Sequence, residues 1–263
     1  MAGAELSMVT KTPRSPTLSG EEDRVQNQGT SKTIKRLITI ILTASALTLT
    51  PGCATMNSTM KKSWDGATKG KTSRVLDGRE RWLAAQIFGA TFRPALMRLV
   101  YDSLVSVGAP KTIKNQIHFP KDKNVGDRRY ATSEAYAILF AHEATHVWQF
   151  QNIGLLYIAD ALFHQGKGYV EHGDRNVAYR YNLDPNKRFK TYNSEQQGKI
   201  IEEYVALKAY GRPATSCDNC AALGDAGFLS TIEAMIKRDI NQAFVALDRA
   251  TVQGVWSGKT PPR

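Results

Sequence analysis

The chain has 263 residues, 42% of them hydrophobic and 9% aromatic, with a formal net charge of +11 at pH 7. That length excludes several large domains, and the composition suits an ordinary globular core. The basic balance favours anionic surroundings such as lipid headgroups or acidic substrates. No recognition-helix, zinc-finger or RNP pattern accompanies it, so nucleic acid is not expected as a partner.

Residues 1–30 are polar, hold Pro13, Pro16, Gly20 and the acidic run Glu21-Glu22-Asp23, and show no apolar period. They read as disordered, or as a start placed too early. Lys32, Lys35 and Arg36 then precede a 13-residue apolar run at 37–49. A basic patch before a short apolar run is the layout of a secretory signal peptide. The run is shorter than the roughly 20 residues a membrane-spanning helix needs. A buried N-terminal helix is the alternative.

The segment Thr50-Pro51-Gly52-Cys53-Ala54 resembles a bacterial lipoprotein cleavage site, where a small residue precedes a cysteine that receives lipid. It departs from that site at Thr50, where leucine is usual, and at Pro51. The resemblance implies lipidation at Cys53 and an exported protein anchored in the cell envelope. Cleavage after Ala54 would instead leave a soluble periplasmic chain. The expected organisation is a disordered start and signal peptide (1–53), a polar tether (54–74) and one domain (75–263). Residues 1–53 carry six Lys/Arg and four Asp/Glu, so the remainder keeps a charge of about +9.

Within the domain, a helix begins near Asp77, with Leu83, Ile87 and Phe88 on one face and Gly89 to end it. Residues 92–105 are apolar and interrupted by Pro94. Residues 111–119 alternate as a strand does and stop at Pro120. Helices are expected at 133–151, 194–210 and 226–247. In the last, Phe228, Ile232, Met235, Ile236, Ile240 and Phe244 form a stripe that reads as core. Residues 152–190, rich in Gly, Tyr and Asp, read as irregular. The fold class is α+β, mostly helical, with a short strand region.

There are three cysteines. With Cys53 taken by lipid, Cys217 and Cys220 remain as an even pair, and in an oxidising compartment they are expected to form a small loop disulfide. A redox-active pair would open a helix beside a strand. Pro213, Asn219 and Gly224 point to a loop instead.

The chemistry concentrates at His142-Glu143-Ala144-Thr145-His146. Residues four apart on a helix project from nearly one face, so His142 and His146 can chelate one Zn²⁺. Glu143 is then placed to act as general base on the water that the ion activates. No proline or glycine interrupts residues 135–149, so the helix premise holds.

The longer run His142-Glu143-Ala144-Thr145-His146-Val147-Trp148-Gln149-Phe150-Gln151 is similar to the motif of zinc metallopeptidases found in bacteria alongside Rhs and Vgr secretion proteins, of the gluzincin type. The same family has a second segment like Glu195-Gln196-Gln197-Gly198-Lys199-Ile200-Ile201-Glu202-Glu203-Tyr204. Gly198 replaces the usual alanine, at a cost to the helix of about 1 kcal/mol, and Glu203 replaces the usual aspartate. The resemblance covers residues 80–210. It implies a zincin-like domain with an HExxH helix, Zn²⁺ as cofactor and a peptide or protein as substrate.

Catalytic zinc usually has three protein ligands and an open position. His118, His164, His172, Glu171, Glu195, Glu202 and Glu203 are available. The resemblance points to Glu195 as third ligand, with His172 as runner-up. Glu203, two turns beyond Glu195, is expected to accept a hydrogen bond from the outer nitrogen of a zinc-bound histidine. Tyr181, Tyr192 and Tyr204 are candidate donors to a developing oxyanion. The competing function is a non-catalytic, zinc-binding envelope lipoprotein that serves as a partner-binding module. Oligomeric state cannot be read from the sequence.

Overall fold

The computed structural model describes residues 72–103, 106, 109–120 and 134–257. The leader, Cys53 and most of the 54–74 segment lie outside them. A four-stranded sheet runs in the order β1-β2-β4-β3. Strand β1 (Ser73–Val75) is antiparallel to β2 (Arg98–Ser103). Strand β2 is parallel to β4 (Gln116–Pro120), which is antiparallel to the edge strand β3 (Lys111–Ile113). Ser73 and Arg74 therefore belong to the sheet and not to the tether. The single strand expected at 111–119 is a hairpin. Lys114 turns the chain with φ 57°, and a two-residue turn leaves a period-of-two apolar pattern nearly unbroken.

Helix α1 (Gly78–Phe88) starts where Asp77 accepts from the backbone N–H groups of Arg79 and Glu80, and ends at Gly89, φ 54°. Glu80 returns a bond to Asp77 N, completing a capping box. Its carboxylate is fully buried, takes two 2.7 Å bonds from Arg74 and accepts from the Tyr136 hydroxyl. One carboxylate thus ties β1, α1 and the next helix together. Burying it without those partners would cost several kcal/mol, on the order of 3–5.

Helix α2 (Glu134–Ile153) is the centre of the domain. Residues 140–147 are all buried, the polar His142, Glu143, Thr145 and His146 among them. It packs on β3 and β4, on α1, and on α3 (Leu156–His172), α4 (Ser194–Tyr210) and α6 (Arg249–Trp256). Trp256 of α6 closes the core with its ring 5.6 Å from Tyr136 and 6.3 Å from Phe140.

Helix α4 matches its expected bounds, with Asn193 and Gln196 forming a capping box and Gly211 in the left-handed conformation at its end. Helix α3 was expected to be irregular. Gly166 and Gly168 weaken its local signal, but Tyr157 and Ala161 face the core, and Gly168 passes within 3.0 Å (measured from an added Cβ) of Asp174 O. The last expected helix is two. Helix α5 (Cys220–Asp239) bends at Gly224 and ends before Phe244, which reaches the core from a turn, and α6 follows. Cys217 and Cys220 are joined as a disulfide, with Cys220 at the first residue of α5. Among the described residues no helix is long and apolar enough to cross a membrane.

Candidate metal centre

His142 and His146 lie one turn apart on α2, and Glu195 enters from the first turn of α4. The Nε2 atoms of the two histidines are 3.2 Å apart. Glu195 Oε2 is 3.6 Å from His142 Nε2 and 3.4 Å from His146 Nε2. Three donor atoms therefore form a nearly equilateral triangle. Ligands around a tetrahedral ion at 2.0–2.1 Å stand about 3.3 Å apart, so the triangle fits such an ion before any side chain moves.

The far side of each ligand is tied down. His142 Nδ1 bonds Glu202 Oε2 at 2.9 Å, and Glu202 is held by Lys199 Nζ at 2.7 Å. His146 Nδ1 bonds Gln149 Oε1 at 2.8 Å. Glu195 Oε1 accepts from Gln165 Nε2 at 2.7 Å, which turns Oε2 toward the histidines. With both Nδ1 atoms engaged, both Nε2 atoms are left to converge on one point. All three side chains are more than nine-tenths buried.

Glu143 faces β3. Its Oε2 accepts from Thr112 Oγ1 at 2.7 Å, and the same hydroxyl reaches Glu143 O at 3.1 Å. Thr112 is held in turn: its backbone carbonyl accepts from the Tyr157 hydroxyl at 3.0 Å. Tyr157 stacks on His146 with ring centroids 5.8 Å apart, and the Tyr179 ring is 6.0 Å from that of His142.

The outer-nitrogen role expected of Glu203 belongs to Glu202. Successive helical residues turn by about 100°, so Glu202 returns to within about 20° of Glu195, whereas Glu203 overshoots by about 80°. Glu203 is buried elsewhere. It accepts from Thr215 N, Thr215 Oγ1 and Ser216 N through one oxygen and from the Tyr181 hydroxyl through the other, all within 3.1 Å. It anchors the turn that leads into the disulfide.

Other expectations fall away for similar reasons. His172 is exposed at the end of α3, 3.8 Å from Glu171. His118 bonds Ser103 in the sheet, and His164 lies 3.5 Å from Asp160. Of the three tyrosines named as oxyanion donors, Tyr181 serves Glu203, Tyr192 donates to Asn182 O, and Tyr204 bonds Glu233. Tyr179 shares the Gln165 amide with Glu195. Its segment, 175–179, is a 3-10 turn with no motif to mark it.

The electrostatics suit a cation. Burial pulls the His142 imidazole down, but the carboxylates of Glu195 and Glu202 outweigh it and push the group up to about 10. His146 is raised as well, against burial, chiefly by Glu195. Burial pushes the Glu195 carboxyl up, yet the two imidazoles hold it well below the usual carboxylate range. All three shifts favour positive charge at this place.

Fold and site together define a mostly helical α+β domain with a buried His-His-Glu group that could hold a metal ion. No protein-family model matches the chain. It is 32% identical over 150 residues to the type VI secretion system spike protein VgrG2b of Pseudomonas aeruginosa, an alignment covering 54% of this chain and 14% of that protein. The chain thus spans about a seventh of the length of that curated relative. Among solved structures, the effector domain of Pseudomonas aeruginosa VgrG2b is similar at 27% identity with a TM-score of 0.46, covering 68% of this chain and 89% of that one. The chain is thus similar in sequence to one segment of that spike protein.

Proposed function

We propose that this domain is a zinc-dependent hydrolase acting on peptide bonds, exported to the bacterial cell envelope and anchored there by lipid on Cys53. The observation that carries the enzymatic part is the triangle of His142 Nε2, His146 Nε2 and Glu195 Oε2, each held from behind by a hydrogen bond. Two imidazoles and one carboxylate are a donor set that catalytic zinc uses, with a fourth position left for water or substrate. When bound, zinc lowers the pKa of a water to about 7 and polarises a scissile carbonyl.

The chain's own residues supply the rest. Glu143 accepts the proton of the attacking water and delivers it to the leaving amine. Thr112 holds one oxygen of that carboxylate and leaves the other for the proton. Tyr179, whose ring stands 6.0 Å from that of His142 and whose hydroxyl lies against Gln165, would donate to the oxygen that becomes negative. An intact base argues for catalysis, since a structural zinc site needs none and usually has four protein ligands. The similarity to a spike protein supports a bacterial secretion setting. The lipid anchor rests on the sequence around Cys53.

The test is elemental analysis of the purified domain alongside hydrolysis of a peptide library. About one zinc per chain is expected, lost in His146→Ala. Glu143→Gln should keep the zinc and lose the hydrolysis. Zinc kept with no hydrolysis by the unaltered protein would favour the partner-binding module. No zinc at all would remove the reaction centre.

A further inference from the structure

Gln149 stands three residues beyond His146 on α2 and is buried. Its Oε1 meets His146 Nδ1 at 2.8 Å. Its Nε2 donates to Ser194 O at 3.0 Å and to Gln197 Oε1 at 3.0 Å. Gln197 Nε2 then donates to Tyr192 O at 2.6 Å. The two ends of a glutamine amide are told apart by their partners. Here both branches finish on backbone carbonyls, which can only accept. An N–H must therefore face Ser194 O, and another must face Tyr192 O. Gln149 has only its oxygen left for the imidazole, so His146 Nδ1 must carry a proton. Nε2 of the neutral ring is then a lone pair aimed at the ligand triangle.

We propose that Gln149, locked by Gln197, is a positioning residue that sets the tautomer of His146 and ties that ligand to the first turn of α4, the turn that carries Glu195. The inference rests on the metal-centre reading above. It also accounts for an asymmetry. His142 is backed by the charged Glu202, the commoner arrangement for a metal ligand. A carboxylate at 149 would hold the His146 proton equally well, but it would face Ser194 O and Gln197 Oε1 with no hydrogen to offer either. Only an amide is at once an acceptor toward His146 and a donor toward α4.

Two measurements on the full chain test this. Zinc affinity is read by competition with a chromophoric chelator for the unaltered protein, Gln149→Glu and Gln197→Glu. A loss of about tenfold or more is expected for Gln149→Glu, in the range for removing partners of metal ligands. Gln197→Glu, which can still accept from Gln149 and forfeits only the bond to Tyr192 O, should lose less. Equal or tighter binding by Gln149→Glu would overturn the proposal, because a simple acceptor role predicts that result. The second measurement needs no variant: nitrogen-15 shifts of the histidine rings in the zinc-loaded protein. Nδ1 of His146 should appear protonated and Nε2 metal-bound, and the reverse assignment would overturn the proposal. If the unaltered protein binds no zinc, the metal-centre reading fails by itself. The ring shifts of the metal-free chain, recorded at a pH where His146 is neutral, then still decide whether Gln149 holds a proton on Nδ1.

Discussion

Gly198 on α4 lies so close to the His142 imidazole on α2 that a Cβ added to it would fall 2.9 Å from Cε1, 3.0 Å from Nε2 and 3.1 Å from Nδ1. On sequence alone the glycine costs the helix and touches nothing. In the structure it is the space that lets the His142 ring stand between two packed helices.

Gly198→Ala should therefore separate stability from metal binding. Alanine returns about 1 kcal/mol of helix propensity, while the added methyl must push the ring or spread the helices. The ring cannot yield freely, because its Nδ1 is tied to Glu202 at 2.9 Å. The expected outcome is a melting temperature changed by a few degrees at most and a zinc affinity reduced about tenfold or more, a loss of at least about 1.4 kcal/mol. Chelator competition and thermal melting of the metal-free protein check it. An unchanged affinity would mean that the helices spread at no cost.

Glu202 and Glu203 are adjacent in sequence and should fail in opposite ways. Glu202→Ala removes the partner of His142 Nδ1, and zinc affinity should fall about 10- to 100-fold with the fold retained. Glu203→Ala strips four hydrogen bonds from a buried carboxylate and leaves the N–H groups of Thr215 and Ser216 without an acceptor. It should cost about 3–5 kcal/mol of stability, read by urea denaturation, with zinc affinity unchanged in the folded protein.

The pH dependence has a definite sign. His142 rises from 6.5 to about 10 on folding. Its contribution to the metal-free fold is complete below about pH 6.5 and is lost as pH rises through 10. Glu195 and Glu202 are shifted down from 4.5 on folding. Their contribution is complete above about pH 4.5 and is lost as pH falls below it. Metal-free stability should thus decline at both ends. Near pH 8 the ion must displace the His142 proton, so uptake should release about one proton and affinity should rise with pH. Calorimetric titration in buffers of different ionisation enthalpy measures this. Uptake without proton release would contradict the charge arrangement of the site.

Tyr179→Phe tests the hydroxyl of the ring that neighbours His142. If it steadies the developing oxyanion, kcat should fall about 10²-fold, at the lower end for such donors, with KM and zinc content little altered. A proportional loss of zinc would instead assign Tyr179 to holding Glu195, with which it shares the Gln165 amide.

Much of this molecule was legible in the linear sequence because it is local. Helices α1, α2 and α4 follow from apolar spacing, α1 and α4 also from caps at Asp77 and Asn193, and His142, Glu143 and His146 follow from the pitch of one helix. Glu195 came from resemblance, not from spacing. Helix α3 and the 111–120 hairpin were missed because glycines and a two-residue turn blur the local period. Helix pitch alone already favours Glu202 over Glu203. Only the packing of α4 on α2 decided the remaining questions: that His142 meets this face of α4 at all, where the second amide of the Gln149 relay comes from, and what the missing side chain at residue 198 leaves room for. Those facts depend on atoms about fifty residues apart brought within 3 Å, and no spacing along the chain encodes that distance.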